Sequence, residues 1–106
     1  MTPGDTVTLL DKDGASVGVF FVKESKPQAV FGIFLPGSDY ERFRGIFEEF
    51  ASRVNSMSLA YLDEIEHKIT AFGIHGVVDG RVIQVFDLQI FGENASLRLS
   101  PFVPMQ

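Results

Sequence analysis

The chain contains no cysteine. Disulfides, thiolate catalysis and cysteine-based metal sites are thereby excluded, and the composition suits a reducing, cytoplasmic setting. Long apolar runs are also missing. The longest, such as VGVFFV, fall far short of a membrane span. The opening MTPGDTVTLL has neither a basic stretch nor an apolar core, so no signal peptide is expected. Basic charge is scarce as well: nine Lys and Arg stand against fourteen Asp and Glu, for a net charge of −5. Duplex DNA and anionic lipid are poor partners for such a chain, because both demand clustered cations.

What is present points to a folded protein. Of the 106 residues, 45% are hydrophobic and 22% charged, which places the chain among packed domains and not disordered segments. A single domain spanning residues 1–106 is expected, with the proline-containing end, residues 101–106, as an extended tail.

Residues 5–24 read as two strands around Asp13-Gly14, since Asp-Gly between β-rich runs favours a tight hairpin turn. QAVFGIFL gives a third strand, ending at Pro36. PGSDYERFRGIFEEF then switches to a helical period. Ser38 and Glu41 have the spacing of a capping box, with Ser38 as N-cap. Asp39 and Glu41 occupy the positive end of the helix, where an incoming phosphate would meet two carboxylates. No glycine-lysine phosphate loop accompanies them, so this is read as a helix start and not an anion site. Tyr40, Phe43, Ile46, Phe47, Phe50, Ala51, Val54 and Met57 fall on one arc at 100° per residue. The opposite arc carries Arg-Glu pairs at helical spacing and the exception Gly45.

Helical phase breaks after Asn55. SLAYLDEIEHK reads as a second short helix with Ser58 as its cap, or alternatively as a strand. ITAFGIHGVV and RVIQVFDLQIF flank a second Asp-Gly pair, Asp79-Gly80, as a hairpin. A turn at Gly92-Glu93-Asn94 leads into SLRLS, whose strict alternation marks a half-wetted strand. The expected fold is α+β: a mainly antiparallel sheet of five or six strands, ordered β-β-β-α-(α)-β-β-β, with the Phe-rich helix on one face.

Taking Asp79-Gly80 as a two-residue loop fixes the cross-strand partners of the second hairpin by counting. One face pairs Val77 with Val82, His75 with Gln84, Gly73 with Phe86, Ala71 with Leu88 and Ile69 with Ile90. This face is expected under the Phe-rich helix. The other pairs Val78 with Arg81, Gly76 with Ile83, Ile74 with Val85, Phe72 with Asp87 and Thr70 with Gln89. Its apolar centre, Phe72, Ile74, Ile83 and Val85, reads either as a partner-binding surface or as a region covered by a curled sheet or the C-terminal tail.

Residues that could carry chemistry are few. His75 with Gln84 could edge a ligand pocket between helix and sheet, or be a satisfied pair within the core. DEIEH, ending at His67, lacks the two-histidine spacing of a zinc helix and suits a solvated helix end. DKDG resembles part of a calcium loop, but the register places Leu9 and Phe20 at ligand positions, so it is a turn. PGSDY has Tyr40 where a nucleophile elbow needs its second glycine. No catalytic set, metal site or cofactor motif is read.

DGASVG, FGIFLPGSDYERFRGIFEEF, DEIEHKITAFGI and IQVFDLQIFGENASLRL together resemble a group of small bacterial proteins of unknown function. The resemblance implies a cytosolic bacterial α+β domain and brings no activity or site residues. The expected role is a non-catalytic module that binds a protein partner or a second copy of itself, through the second sheet face or an edge strand. An immunity-type inhibitor presenting its acidic surface to a basic toxin is one version. The alternative is a small-ligand binder, or a small enzyme, with an aromatic pocket at His75 and Gln84.

Overall fold

The computed structural model describes residues 1–27, 29–55 and 62–100. Alternating side chains build seven strands and helical periodicity builds two helices: β1 (Thr6–Leu10), β2 (Ser16–Ser25), β3 (Val30–Pro36), α1 (Glu41–Asn55), α2 (Leu62–Ala71), β4 (His75–Val78), β5 (Arg81–Gln84), β6 (Phe86–Phe91) and β7 (Asn94–Arg98). All pairings are antiparallel, in the order β5-β4-β1-β2-β3-β7-β6. The sheet curls into a half-barrel around the helices.

The expected α+β class holds, with seven strands in place of five or six. The extra strand comes from RVIQVFDLQIF, which breaks at Val85 into β5 and β6. These two stand at opposite ends of the strand order, although only one residue joins them. A curled sheet permits this, because its two edges approach each other. Asp87, at φ +55°, and a register shift between Phe86 and Gln89 give β6 its bend.

Facing residues on paired strands share a face, so the ladders define the core directly. Val7 pairs with Phe20, and Phe20 with Phe34. Gly32 pairs with Val22 and with Ala95, and Ala95 with Ile90. All the apolar residues in these rows are buried, and Tyr40, just before α1, joins Phe43 and Phe47 of the helix in the same cluster. The predicted apolar face of α1 is therefore the one that packs. Phe34 meets Tyr40 at 5.0 Å between ring centroids, and Phe43 meets Phe72 edge-on at 4.9 Å. Such tilted contacts suit the ring quadrupoles. From α2, Ile65 is buried.

Helix α1 starts differently from its sequence signature. Ser38 is exposed, and the Glu41 carboxylate is held by Arg44, at 2.8 Å, so the capping box is not closed. Asp39 instead accepts the Ser16 N–H at 2.9 Å and fastens the helix start to β2. The second helix is observed from Leu62, while its expected cap Ser58 lies outside the described residues, as do Met57, expected on the apolar arc of the first helix, and the tail, residues 101–106. The segment from Ile69 to Ala71, expected to begin a strand, completes α2.

The two Asp-Gly turns differ. Asp79 (φ +50°) and Gly80 (φ +79°) form the expected two-residue turn, and four counted pairs, Val78-Arg81 to His75-Gln84, are observed. Beyond Gln84 the counting fails, because β6 has left for β7. The first turn is longer, running from β1 at Leu10 to β2 at Ser16, and is organised by Asp11. Only 5% exposed, Asp11 accepts the N–H groups of Asp13 and Ala15 through Oδ1, each at 2.8 Å.

The bond from Ala15, first, and then that from Asp13 hold the Asp11 carboxyl below its ordinary value of 3.8, with burial opposing and Arg42 assisting. A carboxyl whose pKa is lowered by folding stabilises the fold above its unfolded value and loses that contribution as pH falls through the folded one. Asp11→Asn is expected to destabilise the protein by a constant amount above about pH 5. Below 3.8 the difference from wild type should shrink. Thermal melts of both proteins across this range test it, and a difference independent of pH would refute the role given to the charge.

Candidate binding surfaces

The ladders reverse the faces expected for the second hairpin. Leu9, fully buried, pairs with Gly76, and Gly76 pairs with Ile83, so these lie on the inner face. Phe72, Ile74, Ile83 and Val85, read from the sequence as a partner surface, are partly buried and packed against the core. Cover by a curled sheet or by the C-terminal tail was the other reading of that face; the tail lies outside the described residues. The opposite face, expected under α1, is the outer one: Val82 on it is 71% exposed. Which face turns inward is set by the pairing of β4 with β1, a contact between segments far apart in sequence.

Following the ladders across the outer face gives a row of five residues on five strands. Val82 pairs with Val77, Val77 with Thr8, Thr8 with Val19, and Val19 with Leu35. Beside it lies a second row, Thr6, Phe21, Ile33, Asn94 and Phe91. Phe31 follows, flanked by Lys26, whose ammonium stands 5.8 Å from the ring centre and 3.4 Å from Glu24. Both rows are dominated by aliphatic and aromatic groups. Leu35 is 51% and Phe31 40% exposed. Among the described residues no helix or strand lies over this face, since α1 and α2 bury their apolar sides within.

The sheet edges offer less. β5 has four residues, and β6 is interrupted by the positive φ of Asp87 and its register shift. Short or bulged edges resist addition of a further strand.

A cleft of about 560 Å³ opens where β5 passes into β6, beside α2. It is lined by Phe50, Ile69, Ile74, Val85, Phe86 and Leu88, with Glu66, Thr70, Gly73, His75, Gln84 and Asp87. Glu66, Ile69 and Thr70 reach it together because residues three and four apart share a helix face. His75 and Gln84 are brought together as counted, and the His75 ring nitrogen Nδ1 lies 3.3 Å from the Gly73 carbonyl oxygen. Ile83, by contrast, lines a separate cavity of about 640 Å³ with Met1, Val78 and Arg81.

Two acidic residues of this cleft read separately in the sequence, Glu66 within DEIEH and Asp87 opposite Phe72, and not as parts of one site. Asp87 is ion-paired to Arg98 Nε at 3.3 Å and accepts a hydrogen bond from Gln89 Nε2 at 3.4 Å. Glu66 has its carboxyl pushed above the ordinary range, chiefly by burial and then by the charges of Asp87 and Asp63. His67 opposes that shift slightly. The two sit twenty-one positions apart on elements that meet only in the folded chain, so no local motif marks them.

Among the described residues no three His, Asp or Glu side chains gather as a metal site, and the DKDG carboxylate of Asp11 is turned onto backbone N–H groups. None of the described helices is long and apolar enough to cross a membrane. No protein family matches the chain, and searches of curated proteins and of solved structures find no match either.

Proposed function

We propose that this protein is an interaction module whose binding surface is the outer face of the sheet, centred on the row from Val82 to Leu35. The observation that supports it most is a row across five strands whose residues are aliphatic on four of them, with Thr8 on the fifth, and with Val82 and Leu35 left in water. An antiparallel sheet facing only solvent is served by polar residues at such positions. Contiguous exposed apolar area is the usual mark of a protein-binding surface. The occupant is a protein: an uncharged row, with Lys26 and Glu24 set apart beside Phe31, suits a second sheet or a helix laid across it. A second copy of the chain and a different partner present the same chemistry, and the number of chains in the assembly separates them.

Leu35→Lys with Val82→Lys places two charges on this row at exposed positions, where the fold has little to lose. Burying an unpaired ammonium in an interface costs several kcal/mol, so association should weaken by about a hundredfold or more. Native mass spectrometry and light scattering at matched concentrations, together with capture of partners present in a cell extract, read the effect. Unchanged assembly and unchanged capture in a folded double variant would overturn the proposal.

A further inference from the structure

The cleft beside α2 has a composition that selects for a ligand class. Its volume of about 560 Å³ lies within the range of small-molecule sites, roughly 300–1,000 Å³. Phe50, Ile74, Val85 and Phe86 give it an apolar floor, and Glu66 and Asp87 place carboxylates at it from two separate elements. Among the described residues no lysine or arginine lines it. Asp87 is already ion-paired to Arg98 of β7 at 3.3 Å, whereas Glu66 has no ion pair among the described residues, so Glu66 is the carboxylate that a ligand cation would serve first.

We propose that this cleft binds an organic cation, with an apolar or aromatic body on the Phe50–Ile74–Val85 floor and an ammonium group between Glu66 and Asp87. An anionic ligand of the same shape would meet the Glu66 carboxylate, which has no cation offsetting it among the described residues, and a neutral one would leave that carboxylate unpaired. The net charge of −5 also draws cations toward the protein. Burial first, and then the charges of Asp87 and Asp63, push the Glu66 carboxyl upward; a bound ammonium offsets those charges, so binding and deprotonation of Glu66 favour one another. His75 and Gln84 stand at the same cleft and can orient a polar substituent on the ligand's body. This site is distinct from the row between Val82 and Leu35, and its ligand does not depend on what that row binds.

The test uses 4-phenylbutylamine as probe, with 4-phenylbutanol and 4-phenylbutyrate as neutral and anionic counterparts. Each is titrated into isotope-labelled protein at neutral pH while backbone amide resonances are followed. The amine is expected to shift Gly73, Ile74, Gln84 and Phe86 saturably. The alcohol should bind about two- to fivefold more weakly, the worth of a partly exposed ion pair, and the carboxylate more weakly still. Glu66→Gln, a substitution at an exposed position, should weaken the amine by a similar factor and leave the alcohol unchanged. The proposal is overturned if the amine shifts none of these amides up to about 10 mM. It is equally overturned if the carboxylate binds as well as the amine, or if Glu66→Gln weakens amine and alcohol alike.

Discussion

Gly32→Ala is expected to destabilise the protein by ~3 kcal/mol or more, the upper end of overpacking costs. For a domain of this size that lowers the melting temperature by roughly 12–24 °C. Gly32 lies in β3 between β2 and β7, opposite Val22 on one side and Ala95 on the other. A methyl group there would run into the Phe21 carbonyl oxygen, with the Phe21 carbonyl carbon at 2.9 Å and the Phe20 ring at 3.1 Å. The obstacle is backbone, held in a ladder on both sides, and a rotamer change cannot clear it. Gly45 provides the internal comparison. A methyl group there meets nothing within 4 Å on the exposed side of α1, so Gly45→Ala should stabilise by about 1 kcal/mol. Calorimetric or circular-dichroism melts check both, and a Gly32→Ala protein melting within about 3 °C of wild type would show that β2 and β3 can yield.

Phe47→Ala should cost ~3–5 kcal/mol, by lost burial and by the cavity left behind. Phe47 is 1% exposed and stacks on Tyr40 at 6.4 Å between centroids, while Tyr40 leans on Phe34 of β3. The helix therefore grips the sheet through a chain of rings. Removing one leaves Tyr40 without support on that side. The urea midpoint should fall by about 2 M with little change in slope. A fall below about 0.5 M would mean that α1 contributes much less to the core than its burial indicates.

The parts of this structure that local chemistry dictates were legible in the sequence. The apolar arc of α1 is one, since its period needs no knowledge of its partner, and Asp79-Gly80 is another, because the turn needs positive φ at both positions. The register of His75 with Gln84 followed from that turn by counting. Long-range contacts were not legible. RVIQVFDLQIF reads as one strand because nothing in its composition marks Val85 as the point where it crosses from one sheet edge to the other. The inner and outer faces of the second hairpin were exchanged because both carry aliphatic residues, and only the pairing of Leu9 with Gly76 decides between them. Glu66 and Asp87 meet for the same nonlocal reason. The helix cap failed differently: Arg44 outcompeted the Ser38 backbone for Glu41, and Asp39 found a partner in β2.

The outer-face assignment is tested most directly by methyl NMR with a soluble paramagnetic agent, first on dilute monomer and then on the assembled or partner-bound protein. In the monomer, the Val82 and Leu35 methyl groups should relax strongly, and Ile74 and Val85 much less. On assembly, Val82, Val77, Val19 and Leu35 should become protected together. Protection centred on Ile74 and Val85, with Val82 and Leu35 still open to solvent, would contradict the account.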